Sequence, residues 1–140
     1  MDSRSSPPDR ITVEPALHGA GIVYLATAIG FGVGAILTLP YLAKHGELPM
    51  TPFGFRAFSG PFEGLGVGPF TVLGWTFVGL CGIEAMAGVW LVQGRRRGAL
   101  LGLGTTPAAL ALGAGFFLPF YLASIPVRLG LLWLGRRSLR

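Results

Sequence analysis

Charged side chains are scarce in this sequence and absent from long parts of it. Only 12% of the 140 residues are Asp, Glu, Lys or Arg, whereas soluble domains carry roughly 25%. Residues 15–43, 64–83 and 98–127 contain no such residue at all. Each run reaches the roughly 20 residues needed to cross a hydrocarbon core. A chain of this size cannot bury three such runs in a soluble core, so the sequence predicts an integral membrane protein.

Cysteine and histidine are also nearly absent, which excludes several kinds of site. Cys81 is the only cysteine, so a disulfide, a CxxC redox pair and a cysteine-based zinc site are all excluded within one chain. His18 and His45 lie near opposite ends of the first apolar run and cannot share a metal ion. No GxSxG, HExxH, P-loop or kinase signature occurs. The sequence therefore predicts no metal site and no cofactor, and it favours a non-enzymatic protein.

The apolar runs predict an all-α fold, a bundle of four transmembrane helices. The expected helices cover about residues 19–43, 69–93, 98–117 and 120–135, preceded by a disordered tail over residues 1–17. Residues 98–135 would form a helix about 57 Å long, nearly twice the core thickness, and Pro119 favours a reversal there. Residues 44–68, rich in Phe and Pro, are expected to form a loop at the bilayer interface.

Basic residues predict the orientation of the bundle. With four crossings, Arg4, Arg10, the triplet 95–97 and the three arginines at the C-terminal end share one side, and only Lys44 and Arg56 lie on the other. Because positive charge is retained on the cytoplasmic side, both termini are expected in the cytoplasm and the protein in the cell membrane. Three crossings would split the arginines between the two sides. Basic residues distributed in this way do not form a basic face that could bind nucleic acid.

Small residues form a ridge along the first helix. Ala26, Gly30, Gly34 and Thr38 are spaced four apart, and such ridges let helices approach closely in lipid. Two interpretations are open: packing against a neighbouring helix of the same chain, or a homodimer face. We expect packing within the chain, because a four-helix domain needs such contacts.

Two ionisable residues interrupt the apolar runs. Glu84 precedes the arginine triplet and Arg128 precedes the last arginines, at predicted depths of about 16 Å and 12 Å from the cytoplasmic ends. Opposite charges at matching depth offset the cost of burying either in hydrocarbon, so the two are expected to approach each other. Other polar residues at this level complete a candidate intramembrane polar site: Thr27, Thr105, Thr106, Tyr121 and Ser124.

This polar layer has three interpretations. It could fix the register of the helices as a buried salt bridge. It could bind a ligand or handle protons, because intramembrane ionisable residues often mark such sites. Alternatively, Glu84 could be protonated while Arg128 extends to a lipid headgroup.

The stretch EAMAGVWLVQGRRRGALLGL, residues 84–103, resembles the middle of DoxX-like membrane proteins. These small prokaryotic four-helix proteins tend to have a Glu near the end of the second crossing, then small residues, Gly, basic residues and a third helix. The long Phe/Pro loop departs from their simplest pattern. The resemblance implies a four-helix protein of the inner membrane, sometimes an accessory to a membrane redox or stress-response system.

Two classes of function follow. The first is a non-enzymatic accessory or scaffold protein that packs against itself, as a homo-oligomer, or against a larger membrane complex within the lipid bilayer. The second is a carrier or binding protein for a small hydrophobic or anionic ligand, with Glu84 or Arg128 in its site.

Overall fold

Residues 8–138 form four α-helices joined by two tight turns and one longer loop. The computed structural model describes the backbone of these residues and the side chains of residues 15–137. The helices are α1 (Pro8–His45), α2 (Val67–Val92), α3 (Arg96–Gly115) and α4 (Pro119–Gly135), with short 3-10 helices at Pro61–Leu65 and Arg136–Ser138. The prediction of an all-α fold with four helices is confirmed.

The first helix begins earlier than the sequence predicted. It starts at Pro8 rather than near Gly19, so residues 8–17 of the predicted disordered tail belong to α1. A proline fits the first helical position, where its missing N–H would have no partner in any case. The rest of the predicted tail, residues 1–7, lies outside the described part of the chain.

Three of the helices are long and apolar enough to cross a membrane. They cover Pro15–His45, Val67–Val92 and Arg96–Gly115, with 31, 26 and 20 residues respectively. The fourth, Pro119–Gly135, is apolar but has only 17 residues. Length and composition therefore indicate insertion into a membrane, and α4 is the shortest of the four helices.

Both tight turns end a helix in the same way. At the end of α2, Gly94 has φ +70, and Arg95 N–H donates to Trp90 O at 2.8 Å. At the end of α3, Phe117 has φ +50, and Leu118 N–H donates to Gly113 O at 2.9 Å. This is the Schellman arrangement, which satisfies the last carbonyls of a helix and reverses the chain sharply.

The helices pack in a ring. α1 contacts α2 and α4, and α3 contacts the same two helices. Thus α2 and α4 face each other across the centre of the bundle, as do α1 and α3. Near the α3–α4 turn the centre is filled by Phe116, whose ring lies 5.1–5.8 Å from four other Phe rings, those of Phe58, Phe62, Phe70 and Phe77.

The Phe/Pro loop divides its aromatic residues between two environments. Phe58 and Phe62 turn inward onto Phe116, whereas Phe53 and Phe55 are exposed and stack on each other with centroids 6.3 Å apart. Half of the loop's phenylalanines therefore belong to the core of the bundle and hold the loop against it.

Ala26 and Gly30 of the small-residue ridge do not make the predicted contact within the chain, whereas Thr38 at its C-terminal end is buried. Ala26 and Gly30 are exposed, and a Cβ on Gly30 would meet nothing within 4 Å; Gly34 is near only Phe58 of the loop, at 3.7 Å. The close approach uses the opposite face of α1, where a Cβ on Gly21 would lie 2.8 Å from Gly88 O of α2. Successive residues turn about 100° around a helix axis, so Gly21 and Gly30 point in opposite directions, and both faces of α1 carry small residues.

Candidate functional site

The structure brings Glu84 and Arg128 together at the centre of the bundle. Arg128 Nη1 lies 3.0 Å from Glu84 Oε1, and the two side chains are 1% and 2% exposed, the carboxylate being the more buried. Glu84 belongs to α2 and Arg128 to α4, so the ion pair joins two diagonal helices. It spans the space between helices whose backbones do not pack directly.

Two tyrosines complete the cluster around this pair. The Tyr121 hydroxyl donates to Glu84 Oε2 at 2.8 Å, so each carboxylate oxygen has its own neighbour. The Arg128 guanidinium carbon lies 4.4 Å from the centroid of the Tyr24 ring and 5.3 Å from that of Tyr121. Aromatic faces attract a cation, more strongly where water is excluded. The four side chains, hereafter the central cluster, come from α1, α2 and α4.

The remaining helix, α3, takes part by leaving room for Tyr24. A Cβ on Gly102 of α3 would lie 2.6 Å from the Tyr24 hydroxyl oxygen, closer than real side chains approach. Only glycine therefore allows the Tyr24 ring to extend across the bundle toward α3. All four helices thus meet at the level of the ion pair.

The remaining residues of the predicted polar layer bond to their own helices. Thr27 donates to Val23 O at 2.7 Å, and Ser124 donates to Tyr121 O at 2.6 Å. Thr105 and Thr106 donate to Gly102 O at 3.0 and 2.9 Å. Such back-bonding satisfies a hydroxyl within the helix. These four hydroxyls are therefore satisfied locally, and only Tyr121 of the predicted set bonds to the ion pair directly.

The geometry of the central cluster limits its chemistry. Arg128 Nη1 and Glu84 Oε1 are close but not aligned as a hydrogen bond, and Arg128 Nε has no hydrogen-bond partner among the described residues. The guanidinium thus holds donor capacity that residues 15–137 do not use. Within the same part of the chain, no three His, Cys, Asp or Glu side chains gather as metal ligands would.

Sequence reasoning missed Tyr24 and Gly102. Tyr24 is uncharged and lies in an apolar run, where an aromatic residue usually indicates packing alone. Helical periodicity gives no signal for it either, since α1 carries apolar residues on every face. The contact of Tyr24 with Arg128 depends on the arrangement of the helices in the ring, which a single sequence does not specify.

The chain was also compared with known proteins. In comparisons with family models, curated proteins and solved structures, no match to this chain was found.

Proposed function

We propose that this protein is a non-enzymatic accessory or scaffold protein of the membrane, packing against itself or a larger membrane complex. One observation carries the proposal. The central cluster is closed, with Glu84 and Arg128 only 1–2% exposed, and its members come from three helices and touch the fourth. A ligand would have to separate the helices to reach it, whereas a fixed arrangement of four helices is what a scaffold needs.

We further propose four crossings, with both termini in the cytoplasm of a bacterial cell. α4 has 17 residues, about 26 Å of helix, and the 3-10 turn Arg136–Ser138 extends it by about 6 Å. That length approaches the roughly 30 Å of a hydrocarbon core. The excess of arginines at the α2–α3 turn and after α4 favours the cytoplasmic side for both. Phe53 and Phe55 at the other end would lie at the outer interface.

The similarity of residues 84–103 to DoxX-like proteins supports the same proposal. It would make this chain a member of a group of small inner-membrane proteins with accessory roles. Glu84, the residue with which that similarity begins, is the carboxylate of the central ion pair. In this proposal its role is to hold α2 against α4 across the bundle.

A second function is favoured by one specific observation. Arg128 Nε is buried and has no hydrogen-bond partner in residues 15–137, and unused donors of a buried guanidinium are suited to an anionic oxygen. A carrier or binding protein for a small anionic molecule would use Arg128 in this way after the helices part.

An apolar version of the cluster separates the two functions. The variant would carry Glu84→Leu, Arg128→Met and Tyr121→Phe together, and native mass spectrometry from detergent would compare it with the parent. A scaffold should give the same oligomer or the same complex in both proteins, since the packing surfaces are unchanged. A small-molecule adduct present on the parent and missing from the variant would contradict the scaffold role and support the anion carrier.

A further inference from the structure

A cavity of about 220 Å³ opens where the α1–α2 loop meets the ends of these helices. Its floor is apolar and consists of the buried side chains of Leu42, Leu48 and Phe70. Three charged side chains line it as well, those of Glu47, Arg56 and Glu63. Apolar and charged side chains therefore share the lining, and a concave surface that combines the two is where small molecules usually bind.

The charges of this cavity leave one carboxylate without a counterion. Arg56 Nη1 lies 3.2 Å from Glu63 Oε1, so the one guanidinium that the described residues contribute to the cavity is already paired. An antiparallel β-bridge between Met50 and Arg56 holds Arg56 in place. The 3-10 helix that begins at Pro61 does the same for Glu63. Glu47 makes no ion pair with residues 15–137. The lining therefore carries two negative charges and one positive charge.

We propose that this cavity binds an ammonium group on a short apolar body. The ammonium lies at the Glu47 carboxylate, and the apolar part lies on Leu48 and Phe70. A cation with an apolar tail complements both features, whereas an anion would meet the uncompensated carboxylate. The cavity is smaller than the roughly 300–1,000 Å³ of most drug-sized sites, so the group that enters is small.

Two sources carry this chemistry, a soluble amine and the ethanolamine headgroup of a phospholipid. The test uses the full chain in an uncharged maltoside detergent, with phenethylamine as the probe and phenethyl alcohol as its uncharged counterpart. Calorimetry should show saturable binding of the amine and weaker binding of the alcohol. Glu47→Gln should weaken amine binding about two- to fivefold, the range for one partly exposed ion pair, and should remove the preference over the alcohol.

Two further variants distinguish a specific effect on the cavity from a general effect on the folded protein. Val67→Trp places a large side chain at the cavity from the exposed first turn of α2 and should abolish binding. Arg97→Gln changes the net charge by one at the opposite end of α2 and should leave binding unchanged. Absence of saturable binding to the parent, or equal affinity for the amine in Glu47→Gln and the parent, would overturn the proposal.

Competition with lipids distinguishes a phospholipid headgroup from a soluble amine as the occupant of the cavity. Phosphatidylethanolamine added to the micelles should displace phenethylamine if a headgroup is the natural occupant, while the same amount of phosphatidylglycerol should not. Displacement by the first lipid alone supports the ammonium site with a lipid occupant, and displacement by neither supports it with a soluble amine. Equal displacement by both lipids would contradict recognition of the ammonium group.

Discussion

The central ion pair gives a prediction whose size follows from the structure. At 3.0 Å between Arg128 Nη1 and Glu84 Oε1, the Coulomb attraction is about 5.5 kcal/mol for an effective dielectric constant of about 20. Removing one partner forfeits this attraction and leaves the other charge buried. Glu84→Leu and Arg128→Met should therefore each lower the free energy of unfolding by about 3–5 kcal/mol.

The double variant should be more stable than either single variant but less stable than the parent. Replacing both charges by apolar side chains removes the uncompensated charge, and such exchanges are often neutral. However, the Tyr121 hydroxyl then loses its acceptor, Glu84 Oε2, and a buried unsatisfied hydroxyl costs about 1–3 kcal/mol. Adding Tyr121→Phe should recover this loss and bring the triple variant within about 1 kcal/mol of the parent.

Unfolding of the four variants and the parent in mixed micelles of detergent and SDS would measure the effect. The double-mutant cycle should give a coupling of about 3 kcal/mol or more between Glu84 and Arg128. Polar contacts between membrane helices average about 0.6 kcal/mol. A coupling near that smaller value, or a triple variant no more stable than the double, would contradict a strong buried ion pair with the Tyr121 hydroxyl bonded to it.

Glycine substitutions test the helix packing in matched pairs. Gly102→Ala should lower the free energy of unfolding by about 1–3 kcal/mol, because its Cβ would meet the Tyr24 hydroxyl. Gly104→Ala, on the same helix, places a Cβ that meets nothing within 4 Å. It should raise the free energy of unfolding by up to about 1 kcal/mol. Gly88→Ala should destabilise by about 1–3 kcal/mol, since its Cβ would lie 2.9 Å from a backbone oxygen of α1. Gly30→Leu should stay within about 0.5 kcal/mol of the parent, given open space around it. The same SDS unfolding measures all four, and a destabilised Gly104→Ala or a neutral Gly88→Ala would contradict the packing described.

The sequence predicted the helices and the ion pair because both depend on strong local signals. Runs without charge predict crossings by length alone, and Glu84 and Arg128 stand out within them. Their matching depth was enough to pair them without knowledge of the ring. The inward-facing half of α4 was also predictable, because Tyr121, Ser124 and Arg128 share one face at helical spacing.

Other features depend on which face of α1 points inward, and the sequence does not determine it. Small residues occur on both faces, so the ridge at Ala26 and Gly30 was assigned to the interior, whereas Gly21 makes the close contact. Tyr24 could not be placed beside Arg128 for the same reason. The division of the loop phenylalanines between the core and the surface was likewise invisible, since the exposed and the buried members look alike in sequence.

Cysteine accessibility measures how many times the chain crosses the membrane. In a Cys81→Ser background, single cysteines would be placed at Ser5, Phe53 and Ser138 and exposed in intact cells to a thiol reagent that cannot cross the membrane. Four crossings with both termini inside predict labelling of Phe53→Cys only, with Ser5→Cys and Ser138→Cys labelled after the cells are opened. Labelling of Ser138→Cys but not of Ser5→Cys from outside would mean that α4 does not cross, and it would contradict the four-crossing topology.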